Sequence, residues 1–168
     1  MYRTLDEAMA SPPPNEKVVV RGFYRLRLEN EDGTFEPDGG WYENQVVNLG
    51  FNQYLVSTLG AIAGSKQISH MAVGTGGAPA AADTSLAGEQ SVRAAVTAAT
   101  SSTSKALQLT ATFASAASFV TDTKNLSNIG LFNTSEAGVG TLFAGNTYAS
   151  SAVATNQNLN ATYVISFT

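Results

Sequence analysis

The chain holds one imidazole, His70, and no cysteine among its 168 residues. Hydroxyl-based nucleophilic catalysis would have to be built around that ring, with a carboxylate to steady it and a serine to activate. His70 lies in Ile68-Ser69-His70-Met71-Ala72-Val73, a run that reads as sheet, and no triad is expected there. With one histidine and no thiolate, a transition-metal site would need to be almost wholly carboxylate, and the carboxylates are scattered, so neither metal nor cofactor is expected. No pair of carboxylates stands out for glycoside cleavage. The acidic stretch Asn30-Glu31-Asp32-Gly33 has Leu28 where a calcium loop needs its first ligand, and a solvated hairpin turn is the better reading.

Two glycine-rich stretches invite comparison with phosphate loops. In Gly60-Ala61-Ile62-Ala63-Gly64-Ser65-Lys66 the glycines are one residue too close, Ser65 intrudes before the lysine and no hydroxyl follows it. Gly74-Thr75-Gly76-Gly77 lacks the long following helix of a dinucleotide fold. Both read as turns. The aromatics Trp41, Tyr42, Tyr148 and Tyr163 could stack on sugar rings; core packing is expected of Trp41 and Tyr163, and the other two stay open. Asn125, Asn133 and Asn160 each begin a glycosylation-type triplet, but without a secretory signal these mark only an Asn- and Thr-rich composition.

The elements that would carry these residues are mostly strands. Residues 1–14 end in Ser11-Pro12-Pro13-Pro14, too poor in donors for sheet or helix interiors, and read as an extended arm ahead of one β-rich domain, 15–168. Lys17 to Leu28 alternates Phe23, Arg25, Arg27 against Tyr24, Leu26, Leu28. It predicts a strand turning at Asp32-Gly33 and returning over Trp41 to Val47. Leu49, Tyr54, Leu55 and Leu59 then recur at helical spacing, with Asn48 as N-cap, Gly60 past the end and the apolar stripe facing the core, so one α-helix is predicted near residues 49–59. Further strands are predicted over Ile68–Val73, Arg93–Thr97, Ala106–Phe113, Ser118–Thr123, Ile129–Asn133 and Thr141–Asn146, the second and third joined by the polar link 100–104. Asp83 is expected to cap a short helical turn through Leu86. The final strand puts Leu159, Ala161, Tyr163, Ile165 and Phe167 on one face. The predicted fold is mainly β, an antiparallel sandwich or partly closed barrel with one helix.

Composition bounds the partners. A formal net charge of −4 without a basic cluster argues against nucleic acid. No run nears the ~20 apolar residues that span a bilayer, and Met1 to Ala10 do not form a secretory signal, so a soluble protein made where it folds is expected. Charged residues make up 13% of the chain, against about 25% in an average soluble domain. From Ala61 onward there are only Lys66, Arg93, Lys105 and Lys124 against Asp83, Glu89, Asp122 and Glu136. A surface that neighbours will cover avoids the desolvation cost of charge, so low charge points to assembly as readily as to an unusually neutral monomer.

The order of short motifs carries a resemblance. Asn44-Gln45-Val46-Val47-Asn48-Leu49-Gly50 leads into the helix, a strand ends at Val73-Gly74-Thr75-Gly76, Asp83-Thr84-Ser85-Leu86 follows, and Ile129-Gly130-Leu131-Phe132-Asn133 marks a late strand. Over about Trp41 to Thr168 this resembles a group of small virion proteins of tailed phages and prophages, the tail-fibre-like, tail and decoration proteins. The motifs suit structural duty: Gly74 and Gly76 are expected to take φ values barred to other residues, Asp83 to cap, and Gly130 to tolerate a bulge or a close backbone approach. The resemblance implies a virion protein, assembled in the host cytoplasm and not an enzyme. A capsid decoration or cement protein linking major capsid subunits is favoured over a tail, collar or fibre-adaptor component, a glycan-binding tip, or a wall hydrolase. The expected partners are the major capsid protein or other virion subunits and further copies of the chain, as in a trimer. Pro12, Pro13 and Pro14 of the arm and Arg21, Arg25 and Arg27 on the first strand are the docking candidates.

Overall fold

The computed structural model describes residues 19–101 and 105–167; the arm 1–14 with Pro12, Pro13 and Pro14, and Ser102–Ser104 of the polar link, lie outside them. Among the described residues ten strands form two antiparallel five-stranded sheets. They are β1 (Val20–Glu29), β2 (Tyr42–Glu43), β3 (Gln45–Val46), β4 (His70–Gly74), β5 (Ala94–Ala95), β6 (Thr97–Ser101), β7 (Ala106–Phe113), β8 (Lys124–Phe132), β9 (Leu142–Val153) and β10 (Asn158–Phe167). One sheet runs β2-β1-β10-β7-β6 and the other β3-β9-β8-β4-β5. The fold is a β-sandwich.

The alternation in the final segment explains its central place. Leu159, Ala161, Tyr163 and Ile165 are all buried, and β10 pairs with β1 on one side and β7 on the other. At both edges of the sandwich the chain bends from one sheet to the other across a single residue, Asn44 between β2 and β3 and Val96 between β5 and β6. The predicted return strand Trp41 to Val47 is therefore two short strands in different sheets. Only Tyr42 and Glu43 pair with β1, while Gln45 and Val46 pair with β9. Gly22 permits this bend, since a Cβ there would lie 1.9 Å from Asn44 Oδ1. Very short edge strands expose little unpaired backbone.

Between the sheets, Tyr24 stacks on Tyr163 at 5.6 Å and on Tyr42 at 5.7 Å. Burial of this aromatic cluster removes apolar surface from water, about 1.5–3 kcal/mol for each large side chain. The Tyr24 and Tyr163 hydroxyls stay bonded, to Thr147 O and Asn44 Nδ2. The second sheet is covered on its outer face as well. Loop residue Leu86 packs with Val47, Ala72, Phe132 and Leu142 in a separate apolar cluster. This double cover explains why β8 is buried almost continuously from Asn128 to Phe132.

Several local expectations change. Ser118–Thr123 is not a strand: Ser118 adopts a left-handed φ of 51° after a 3-10 turn (Ser115–Ala117), which turns Phe119 and Val120 into the core, with Phe119 5.6 Å from the Phe113 ring. Asp83 caps no following helix; its carboxylate accepts from Ala80 N–H at 2.8 Å and closes the preceding turn. Gly74 and Gly76 do not have positive φ. They are needed for close approach, because a Cβ on Gly76 would stand 2.4 Å from Ala87 O and one on Gly74 2.8 Å from Gly88 O. Gly130 serves the same end under Leu142 and Phe132.

The helical segment is present, with an unexpected winding. Gly50–Val56 is π-helical and is followed by one α-helical turn, α1 (Ser57–Leu59). No side chain caps its start, Asn48 included. Its end is a left-handed cap in which Ala61 N–H bonds Thr58 O and Ile62 N–H bonds Ser57 O. The left-handed residue is Ala61, at φ 49°, one place beyond Gly60.

Candidate functional site

His70 opens β4, and its Nδ1 lies 2.8 Å from the Ser69 hydroxyl. Its pKa is held below the ordinary value by burial and then by the nearby Arg93 charge. The group beside the imidazole is thus a guanidinium, opposite in sign to the carboxylate a triad uses. Arg93 is itself engaged. Its side chain is wholly buried, forks onto Glu89 at 2.5 and 3.2 Å, donates to Thr134 O and Oγ1, and lies 3.6 Å over the Phe132 ring. This cluster ties the 89–93 segment to the turn after β8. Asn128 acts similarly, donating from Nδ2 to Gly77 O and Ala87 O, which fixes the loop that covers the second sheet. Among the described residues no group of three His, Asp or Glu side chains gathers as metal ligands, and no helix is long and apolar enough to cross a membrane.

Three surfaces remain. The first is the outer face of β1, where alternation brings Arg21, Arg25 and Arg27 together. Each already has a partner in the chain: Arg21 with Glu43 at 2.8 Å, Arg25 with Asp38 at 2.7 Å, and Arg27 over the Phe35 ring at 3.8 Å. The Asp38 and Glu43 carboxyls are held below the usual carboxylate range chiefly by hydrogen bonds from Arg25 and Arg21. The Arg21–Glu43 pair is solvent-accessible, so an incoming carboxylate could replace Glu43 at small cost, whereas the Arg25–Asp38 pair is part-buried.

The second surface is a cleft of about 520 Å³ that brings Tyr42 and Tyr148 together with Glu36, Asp38 and Gln157. Tyr163 is fully buried and takes no part, whereas Trp41, expected in the core, is half exposed. Trp41 precedes the short β2, where the chain runs along the sheet edge and not between the layers.

The third is the end of the sandwich carrying the helical segment. Tyr54 is buried there: it packs edge-on to Phe143 at 5.2 Å, and its hydroxyl donates to Thr141 O. Leu49 and Leu55 are part-buried against the core, whereas Phe51 is 41%, Val56 58%, Leu59 89% and Ile62 57% exposed. The stripe assigned to the core from spacing is therefore split: Tyr54 and Leu55 turn inward and Leu59 lies on the surface. Beside the segment lies an open apolar groove of about 570 Å³ between the helix and the end of the first sheet. No charged residue stands between Glu43 and Lys66, a signal of this surface already present in the sequence.

No protein-family model, no curated protein and no solved structure matches the chain.

Proposed function

We propose that this protein is a structural subunit of a tailed-phage particle, a capsid decoration or cement protein that binds the outer shell and links neighbouring capsid subunits. The motif order supplies the particle, and one structural observation carries the mode of action. Phe51, Val56, Leu59 and Ile62 form an exposed apolar patch on a segment without charge, next to an apolar groove. A patch of this kind is kept where another protein will cover it. Chemically capable side chains serve the frame: Arg93 and Glu89 bind each other, Asn128 holds a loop, and His70 contacts Ser69. On this reading the protein works by contact and not by turnover. A tail, collar or fibre-adaptor station would use the same surface.

The test is quantitative mass spectrometry of purified particles, with a Val56→Asp, Leu59→Asp variant that changes only exposed positions. Many copies over the head, lost selectively in the variant, support the cement role. A few copies at one vertex or along the tail reassign it to the tail, and complete absence from particles refutes it.

The cleft lined by Tyr42 and Tyr148 favours a second reading, a receptor-binding tip that stacks a sugar on these rings and bonds its hydroxyls to Glu36 and Gln157. A glycan screen giving a reproducible signal that Tyr42→Ala and Tyr148→Ala abolish would establish it.

A further inference from the structure

The apolar groove faces outward at the point where the described chain begins. Val20, the first residue of β1, lines it and pairs with Phe167, which also lines it. Ile68, Leu107 and Ile165 complete much of the floor, and Lys66 is the one charged residue on the wall. Among the described residues Lys66 makes no salt bridge.

The sequence ahead of Val20 has the chemistry to fill such a groove. Met1, Leu5 and Met9 recur every four residues, Tyr2 adds an aromatic, and Asp6 and Glu7 supply carboxylates beside Leu5 that complement Lys66. Between this apolar set and Val20 stand Pro12, Pro13 and Pro14. A proline run favours an extended path of about 3.1 Å per residue. The eleven steps from Met9 to Val20 therefore span up to about 35 Å. The groove starts at Val20 itself, far nearer than that span. A path of that length would carry Leu5 and Met9 well past the groove of their own subunit.

We propose that the groove receives the N-terminal arm of a second copy of this chain, with Leu5 and Met9 on the apolar floor and Asp6 or Glu7 near Lys66. Each copy then gives one arm and receives one. Because Val20 lies on the rim of the groove, donor and acceptor sites lie side by side, which permits a reciprocal, closed exchange between copies. The exchange deepens the proposed structural role and rests on it only in taking the protein to act in multiple copies.

The absence of native cysteine allows a direct test on the full chain. Met9→Cys is made in one copy and Thr58→Cys, an exposed position at the groove, in a size-tagged second copy. The two are co-expressed and oxidised. The expected product is a disulfide-linked heterodimer of about twice the 17.5 kDa chain mass, formed in preference to a control pairing Met9→Cys with Thr112→Cys on the outer face of β7. Leu5→Asp should abolish the link. Three results would overturn the proposal: no link, a link equal to the control, or a doubly substituted single chain that closes only on itself. Since the readout uses purified protein, its failure leaves the virion assignment to be judged separately by particle composition.

Discussion

Replacing Glu89 by Gln should cost far more stability than neutralising any charge outside the Glu89–Arg93 pair among the described residues. Arg93 has a side-chain exposure of 0% and Glu89 one of 8%, so water cannot compensate either charge when the other is removed. Thr134 and the Phe132 ring would still contact the guanidinium, but neither carries a neutralising charge. Breaking a buried pair by losing one partner costs about 3–5 kcal/mol, against about 0–1 kcal/mol for an exposed pair such as Arg21–Glu43. With a urea slope of about 2 kcal/mol/M, the midpoint should fall by about 1.5–2.5 M. Equilibrium unfolding followed by tryptophan fluorescence and circular dichroism measures this, with Glu43→Gln as the exposed control. The double variant Arg93→Met, Glu89→Leu should recover much of the loss, because an apolar pair leaves no buried charge. A Glu89→Gln midpoint within 0.5 M, or about 1 kcal/mol, of the parent would refute the reasoning.

Ala61→Gly should stabilise the protein by about 1 kcal/mol, since Ala61 holds a left-handed φ of 49° that glycine adopts without strain; thermal unfolding is the measure. Gly76→Ala should destabilise by about 2 kcal/mol or more, because the new methyl would sit 2.4 Å from the Ala87 carbonyl oxygen, and limited proteolysis should then cut within residues 77–88. Asn128→Ala should cost about 1–3 kcal/mol by leaving the Gly77 and Ala87 carbonyls without their donor, seen as faster amide exchange in the same loop. His70 has a pKa below its ordinary 6.5 in the folded protein. The unfolded chain therefore takes up the proton first, and stability is full above pH 6.5 and declines as pH falls toward the folded value. The carboxyls held low by Arg21 and Arg25 lose their contribution only below about pH 4, so His70→Gln should flatten the melting temperature between pH 7 and 5.

Alternation alone determined the central strands. Phe23 to Leu28 and Leu159 to Phe167 carry a period of two over enough residues that only one face of each can be buried. That placed β1, β7 and β10 and the β class. The turn at Gly33, with φ 81°, was legible for the same kind of reason, a local rule with no distant partner. Tertiary structure decided whatever depends on residues far apart in sequence. It split Trp41 to Val47 between two sheets, turned Phe119 inward, and moved Gly74 and Gly76 from a turn role to close approach beneath Ala87 and Gly88. It also placed Arg93 against Phe132 and Thr134, and it divided the apolar residues of the helix between core and surface. Helical spacing reveals that Tyr54 and Leu59 are apolar, but only the packing of the sheets against the helix selects which of the two is covered.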